Sequence, residues 1–119
     1  MFKPTAAWTE IKQYIVDAVQ AAGPDACPPY VVGVGMGGTA DYSSLLAKKA
    51  LLRSLKSAPS AREKELLRQI NKLAIGPMGL GGRATALAVH IQAYATHIAG
   101  LPVAVNISCH ALRRATAII

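Results

Sequence analysis

Aromatic side chains are scarce in this chain of 119 residues, with one Trp, one Phe and four Tyr. Proteins that grip single-stranded nucleic acid stack its bases on several rings, so that class is disfavoured from the outset. Acidic residues are also few, six against 13 Lys and Arg, leaving a net charge of +7. Such a field draws anions, whether nucleic acid, anionic lipid, a small dicarboxylate or an acidic partner subunit. No apolar run approaches the roughly 18 residues of a membrane span, and Met1-Phe2-Lys3-Pro4 lacks the apolar centre of a signal peptide. A reducing cytoplasm is the expected setting, with no membrane. The only two cysteines are Cys27 and Cys109. On residues alone a disulfide, free buried thiols, and ligation of a metal or cluster all remain open.

What is plentiful is apolar, at 52% of residues against 16% charged. That balance excludes an intrinsically disordered chain. The length suits a single domain over 1–119, which buries roughly two thirds of its unfolded surface. Part of the apolar surface is expected to face a partner, as in a homo- or hetero-oligomer.

Periodicity predicts a helix over 8–22, its apolar stripe formed by Trp8, Ile11, Ile15, Ala18, Val19 and Ala22, and Gly23-Pro24 ends it. Tyr30 to Val34 reads as a buried strand, and the glycines at 33, 35, 37 and 38 read as a loop after it. Thr39 caps a second helix to about Leu55, with Leu45, Leu46, Ala50 and Leu52 inward. Ser60 and Glu63 fit a capping box that opens a third helix to about Leu73. Arg62, Lys64, Glu65 and Arg68 on that helix read as a solvated face, as do Lys48, Lys49, Arg53 and Lys56 on the second. Beyond the glycine-rich segment 76–82, alternation over 85–94 and the apolar run 101–107 predict two more strands, pairing as a hairpin across 97–100. The expected fold is α/β, about three helices on a small mixed sheet.

Gly33-x-Gly35-x-x-Gly38 matches the dinucleotide fingerprint, between a strand and a helix. The acidic residue expected about 20 positions on is absent; Leu51, Leu52 and Arg53 stand there instead. Glycines serving tight turns and close packing are the ordinary explanation. The alternative is a stand-alone anion- or nucleotide-binding module that uses the backbone N–H groups of both glycine-rich segments.

Three segments taken together point elsewhere. They are Cys27-Pro28-Pro29 with Val31-Val32-Gly33-Val34-Gly35-Met36-Gly37-Gly38-Thr39, then Gly76-Pro77-Met78-Gly79-Leu80-Gly81-Gly82, then Thr96-His97 through Leu101-Pro102-Val103-Ala104-Val105-Asn106-Ile107-Ser108-Cys109-His110-Ala111. In order and content the chain resembles the α subunit of the iron–sulfur hydro-lyases, class I fumarate hydratase and L-tartrate dehydratase. The resemblance covers about residues 5–114.

It implies a [4Fe–4S] cluster held by three cysteines, its fourth iron left open as a Lewis acid that polarises the leaving hydroxyl. By analogy Cys27 and Cys109 are two of the three thiolate ligands, and His97 contacts a carboxylate of the small dicarboxylate substrate. The chain departs from the family in lacking the third cysteine, which members carry upstream in a Cys-Gln-Asp-Thr-Gly segment. The catalytic base and further substrate-binding residues belong to a carboxy-terminal domain or β subunit. The expectation is therefore the carboxy-terminal portion of an α subunit, inactive alone. His90 reads as a structural or surface residue, and His97 has a backbone-bonded turn histidine as its rival reading. His110 reads as a residue that orients the cluster from beside Cys109 or as one with no such role, and Arg113 and Arg114 as helix-end or surface residues or neutralisers of cluster or substrate charge.

Overall fold

The computed structural model describes residues 1–96, 98–111, 115 and 117–119. The elements in chain order are α1 (Trp8–Ala22), β1 (Tyr30–Gly38), α2 (Ala40–Ala50), α3 (Ala61–Asn71), β2 (Ala86–Thr96) and β3 (Val103–Ser108). Short 3-10 turns lie at Gly23–Ala26 and Pro77–Gly79. The fold is α/β, three helices on a mixed sheet ordered β2-β1-β3.

The central strand β1 runs parallel to β2 and antiparallel to β3. The hairpin expectation is therefore corrected: β2 and β3 each pair with β1, which lies between them. Strand β1 also continues through all the glycines assigned to a loop. Those glycines are what lets α2 approach. A Cβ on Gly33 would lie 2.3 Å from the Ala47 carbonyl oxygen, and one on Gly35 only 1.9 Å from that of Ser43. Even-numbered Tyr30, Val32, Val34 and Met36 point to the other face, into a core with Ile11, Ile15, Val19, Leu66 and Ile70. Helix α2 thus covers one face of the sheet, and α1 and α3 cover the other.

Two expectations about α2 change. The helix stops at Ala50, and Leu45 and Leu52 face solvent while Ser43, Leu46, Ala47 and Ala50 are buried. Its end closes on Arg53, which is not part of a solvated stripe. The Arg53 guanidinium grips the Glu63 carboxylate, and Glu63 is buried. Helix α3 opens with the predicted capping box at Ser60 and Glu63. Its charged face docks on α1: Glu65 accepts from Trp8 Nε1 at 3.0 Å and Lys12 Nζ at 2.6 Å, and Arg62 lies over the Trp8 ring.

Candidate functional site at the cysteine end of the sheet

Antiparallel pairing of Val31 with Ser108 sets the start of β1 beside the end of β3. Cys27 lies just before β1 and Cys109 just after β3, so both predicted ligands arrive at one end of the sheet. Both are free thiols, partly exposed. The two loops touch: His110 Nδ1 lies 3.0 Å from the Cys27 carbonyl oxygen and 3.8 Å from Cys109 Sγ. Cys109 Sγ also accepts the Ala111 N–H at 3.4 Å.

Backbone strain gathers at this end. Cys27, Ala74 and Met78 are the non-glycine residues with positive φ among those described, at 57°, 54° and 56°. Left-handed conformations of this kind cost energy outside glycine and collect at functional sites. Cys27 is held so by its N–H on the Pro24 carbonyl at 3.1 Å, and Met78 N–H bonds the Pro28 carbonyl at 2.9 Å. That second contact docks the 76–82 segment against the cysteine loop. Gly79 packs on Pro24, where a Cβ would stand 2.5 Å from the proline ring.

The floor of the corner is Tyr30, fully buried, whose hydroxyl has no hydrogen-bond partner among the described residues. Burial raises its pKa above 10.0, and the charges of Asp25 and Cys27 add to the effect. Asn71 anchors the far side, its Oδ1 accepting the N–H groups of Thr85 at 3.0 Å and Ala86 at 2.9 Å. Sequence reasoning passed over Tyr30 and Asn71, since neither sits in a motif.

The segment 76–82 is not an open cradle of donors. Gly76 N–H bonds the Thr85 hydroxyl, and the N–H groups of Gly79, Leu80 and Gly81 bond carbonyls of Gly76, Pro77 and Ile75. The first glycine run is likewise committed, as the central strand of the sheet. Arg53, which stands where the dinucleotide fingerprint expects an acidic residue, is committed to Glu63.

His97 lies outside the described residues, as do Arg113 and Arg114. Its neighbour Thr96 pairs with Gly38. This is the opposite end of β1 from the cysteines, about 26 Å away for a nine-residue strand. There an open groove of about 570 Å³ is lined by Gly38, Thr39, Asp41, Tyr42, Tyr94 and Thr96 among others. The N-terminus of α2 in this groove already carries an anion, Asp41. The Thr39 hydroxyl donates to its carboxylate and holds its pKa low. His90 is buried within β2.

Comparison with known proteins finds relatives over nearly the whole chain. A Methanocaldococcus jannaschii protein provisionally named L(+)-tartrate dehydratase subunit alpha is 48% identical over 120 residues, covering 97% of this chain and 42% of that protein. The L(+)-tartrate dehydratase subunit alpha of Escherichia coli K12 is 34% identical over 121 residues, covering 98% of this chain and 40% of that protein. The chain thus spans about two fifths of the length of the curated relatives it matches. The family profile described as fumarate hydratase (Fumerase) matches residues 1–118, and on that match this chain belongs to the Fumerase family.

Proposed function

We propose that this chain is part of the α subunit of an iron–sulfur hydro-lyase. The enzyme would add water to, or remove it from, a C4 dicarboxylate of the fumarate/malate or tartrate type. The observation that carries this reading is the convergence of Cys27 and Cys109, linked through His110, on one strained corner of the sheet. The relatives named as tartrate dehydratase α subunits support the class of chemistry and a β-subunit partner.

The donor set suits the group. A [4Fe–4S] cluster takes thiolates, and this corner offers two unbridged thiols with the Ala111 N–H directed at one sulfur. A third cysteine ligand must come from outside these residues, since the sequence holds two. When bound, the cluster supplies a Lewis-acidic iron that polarises the leaving hydroxyl.

The chain's own part is binding and positioning. Cys27 and Cys109 would supply two of the thiolates that hold the cluster. The Ala111 N–H donates to the Cys109 sulfur. The net charge of +7 favours approach of a dianion. His97 is proposed as a contact for a substrate carboxylate, on its motif position alone. The catalytic base is proposed to lie outside this chain, which would not turn over by itself, and the setting is proposed to be cytoplasmic. No helix among the described residues is long and apolar enough to cross a membrane.

The anion-binding alternative has lost its donors to the sheet and to the turns of 76–82. Replacing cysteines separates the two readings. Cys27→Ala or Cys109→Ala in the complete enzyme is expected to abolish iron content and turnover together. Full iron content in both variants would overturn the ligand assignment, and phosphate affinity surviving both substitutions would favour the binding module.

A further inference from the structure

The contact between His110 and the two cysteine loops has a direction. A carbonyl oxygen only accepts, so the His110 Nδ1 that lies 3.0 Å from the Cys27 carbonyl must carry the proton. The same Nδ1 lies 3.8 Å from Cys109 Sγ. We propose that His110 is a positioning residue whose Nδ1–H is shared between the Cys27 carbonyl and the Cys109 sulfur, locking the two thiol-bearing loops at a fixed spacing.

Three observations converge on it. The link joins residues 83 apart in sequence, so it is a tertiary tie between the loops and not a local turn. Cys27 is held left-handed, and while its N–H is fixed on Pro24, its carbonyl is the group His110 secures. Cys109 Sγ already accepts the Ala111 N–H, and His110 brings a second donor to the same sulfur. In a bound cluster, hydrogen bonds to a ligand sulfur withdraw electron density and raise the reduction potential. That last consequence rests on the iron–sulfur reading; the tie itself is a property of this chain.

The two claims are tested apart. On this chain, long-range proton–nitrogen correlation spectra of the neutral His110 ring are expected to place the proton on Nδ1. A proton on Nε2 would overturn the tie. In the complete enzyme loaded with iron and sulfide, His110→Ala is expected to release iron to a chelator about 10-fold faster, with a lower potential. His110→Asn places an amide N–H where Nδ1 stood and should restore both values. An unchanged His110→Ala, or a His110→Asn as impaired as His110→Ala, would contradict the positioning role. Should the wild-type enzyme take up no cluster at all, the iron–sulfur reading fails, and the ring spectra still decide the tie.

Discussion

Arg53 and Glu63 form a two-pronged ion pair, Nη1 to Oε2 at 2.7 Å and Nη2 to Oε1 at 3.2 Å, at the edge of β2. The same carboxylate accepts the N–H of Ser60 and of Ile91, both at 2.8 Å, and Arg53 donates to the Ile91 carbonyl. One pair of side chains therefore caps α3, closes the turn after α2 and occupies the outward backbone groups of an edge strand. Exposed edges invite pairing with other chains, and this is a way of blunting one.

Burial works against the charge on Glu63, yet the Arg53 hydrogen bond and the Ser60 and Ile91 N–H groups outweigh it and hold its pKa below 4.5. A carboxyl with a lowered folded pKa stabilises the fold above the unfolded value and loses that contribution as pH falls through the folded one. Glu63→Ala is expected to cost about 3 kcal/mol at neutral pH, because Arg53 is left without its partner. Denaturant melts should show the gap between wild type and Glu63→Gln closing as pH falls below 4.5. A gap independent of pH would mean the pair contributes no charge-dependent stability.

Gly35→Ala should destabilise severely, by about 3 kcal/mol, since the new Cβ meets backbone atoms of α2 that cannot swing aside. Gly23, with nothing within 4 Å of its Cβ position, is the contrast. There Ala meets only the cost of a sparsely populated backbone conformation, φ 53° and ψ −140°, about 2 kcal/mol. Thermal melts of the two variants check the ordering.

Asn71→Ala removes the acceptor of two backbone N–H groups and should cost about 2 kcal/mol. Amide exchange at Thr85 and Ala86 is expected to accelerate with it, while Asn71→Asp, which keeps the oxygen, preserves most of the protection. Unaltered exchange in Asn71→Ala would remove Asn71 from the account of the 76–82 segment.

Cys27 and Cys109 are partly exposed and unbridged, so Cys27→Ser and Cys109→Ser should change the stability of this chain by no more than about 0.5 kcal/mol. His97→Gln in the complete enzyme should raise KM and leave iron content intact. Loss of iron in that variant would instead make His97 part of the cluster's support.

The local signals in this sequence were legible because their partners lie within one or two turns. The stripe Ile11, Ile15, Val19 and the box Ser60–Glu63 are read correctly. The extent of β1 was hidden because glycines ordinarily break strands, and here they make room for the backbone of α2. The pairing of β3 was hidden because two consecutive strands with a short connection suggest a hairpin, while β1 lies between them. At the site, the cysteine motifs were legible, and their meeting follows from the register of β1 and β3. Glu63 as the partner of Arg53, and His110 as the partner of the Cys27 carbonyl, depend on tertiary placement that no local pattern carries.

The most direct test of the account is anaerobic iron and sulfide reconstitution of this chain, alone and mixed with the amino-terminal α segment and the β subunit of a family member. Visible thiolate-to-iron absorption and dicarboxylate hydration are followed together. The account predicts that cluster and activity appear in the assembled mixture and in neither part separately. An assembled complex without cluster would contradict it.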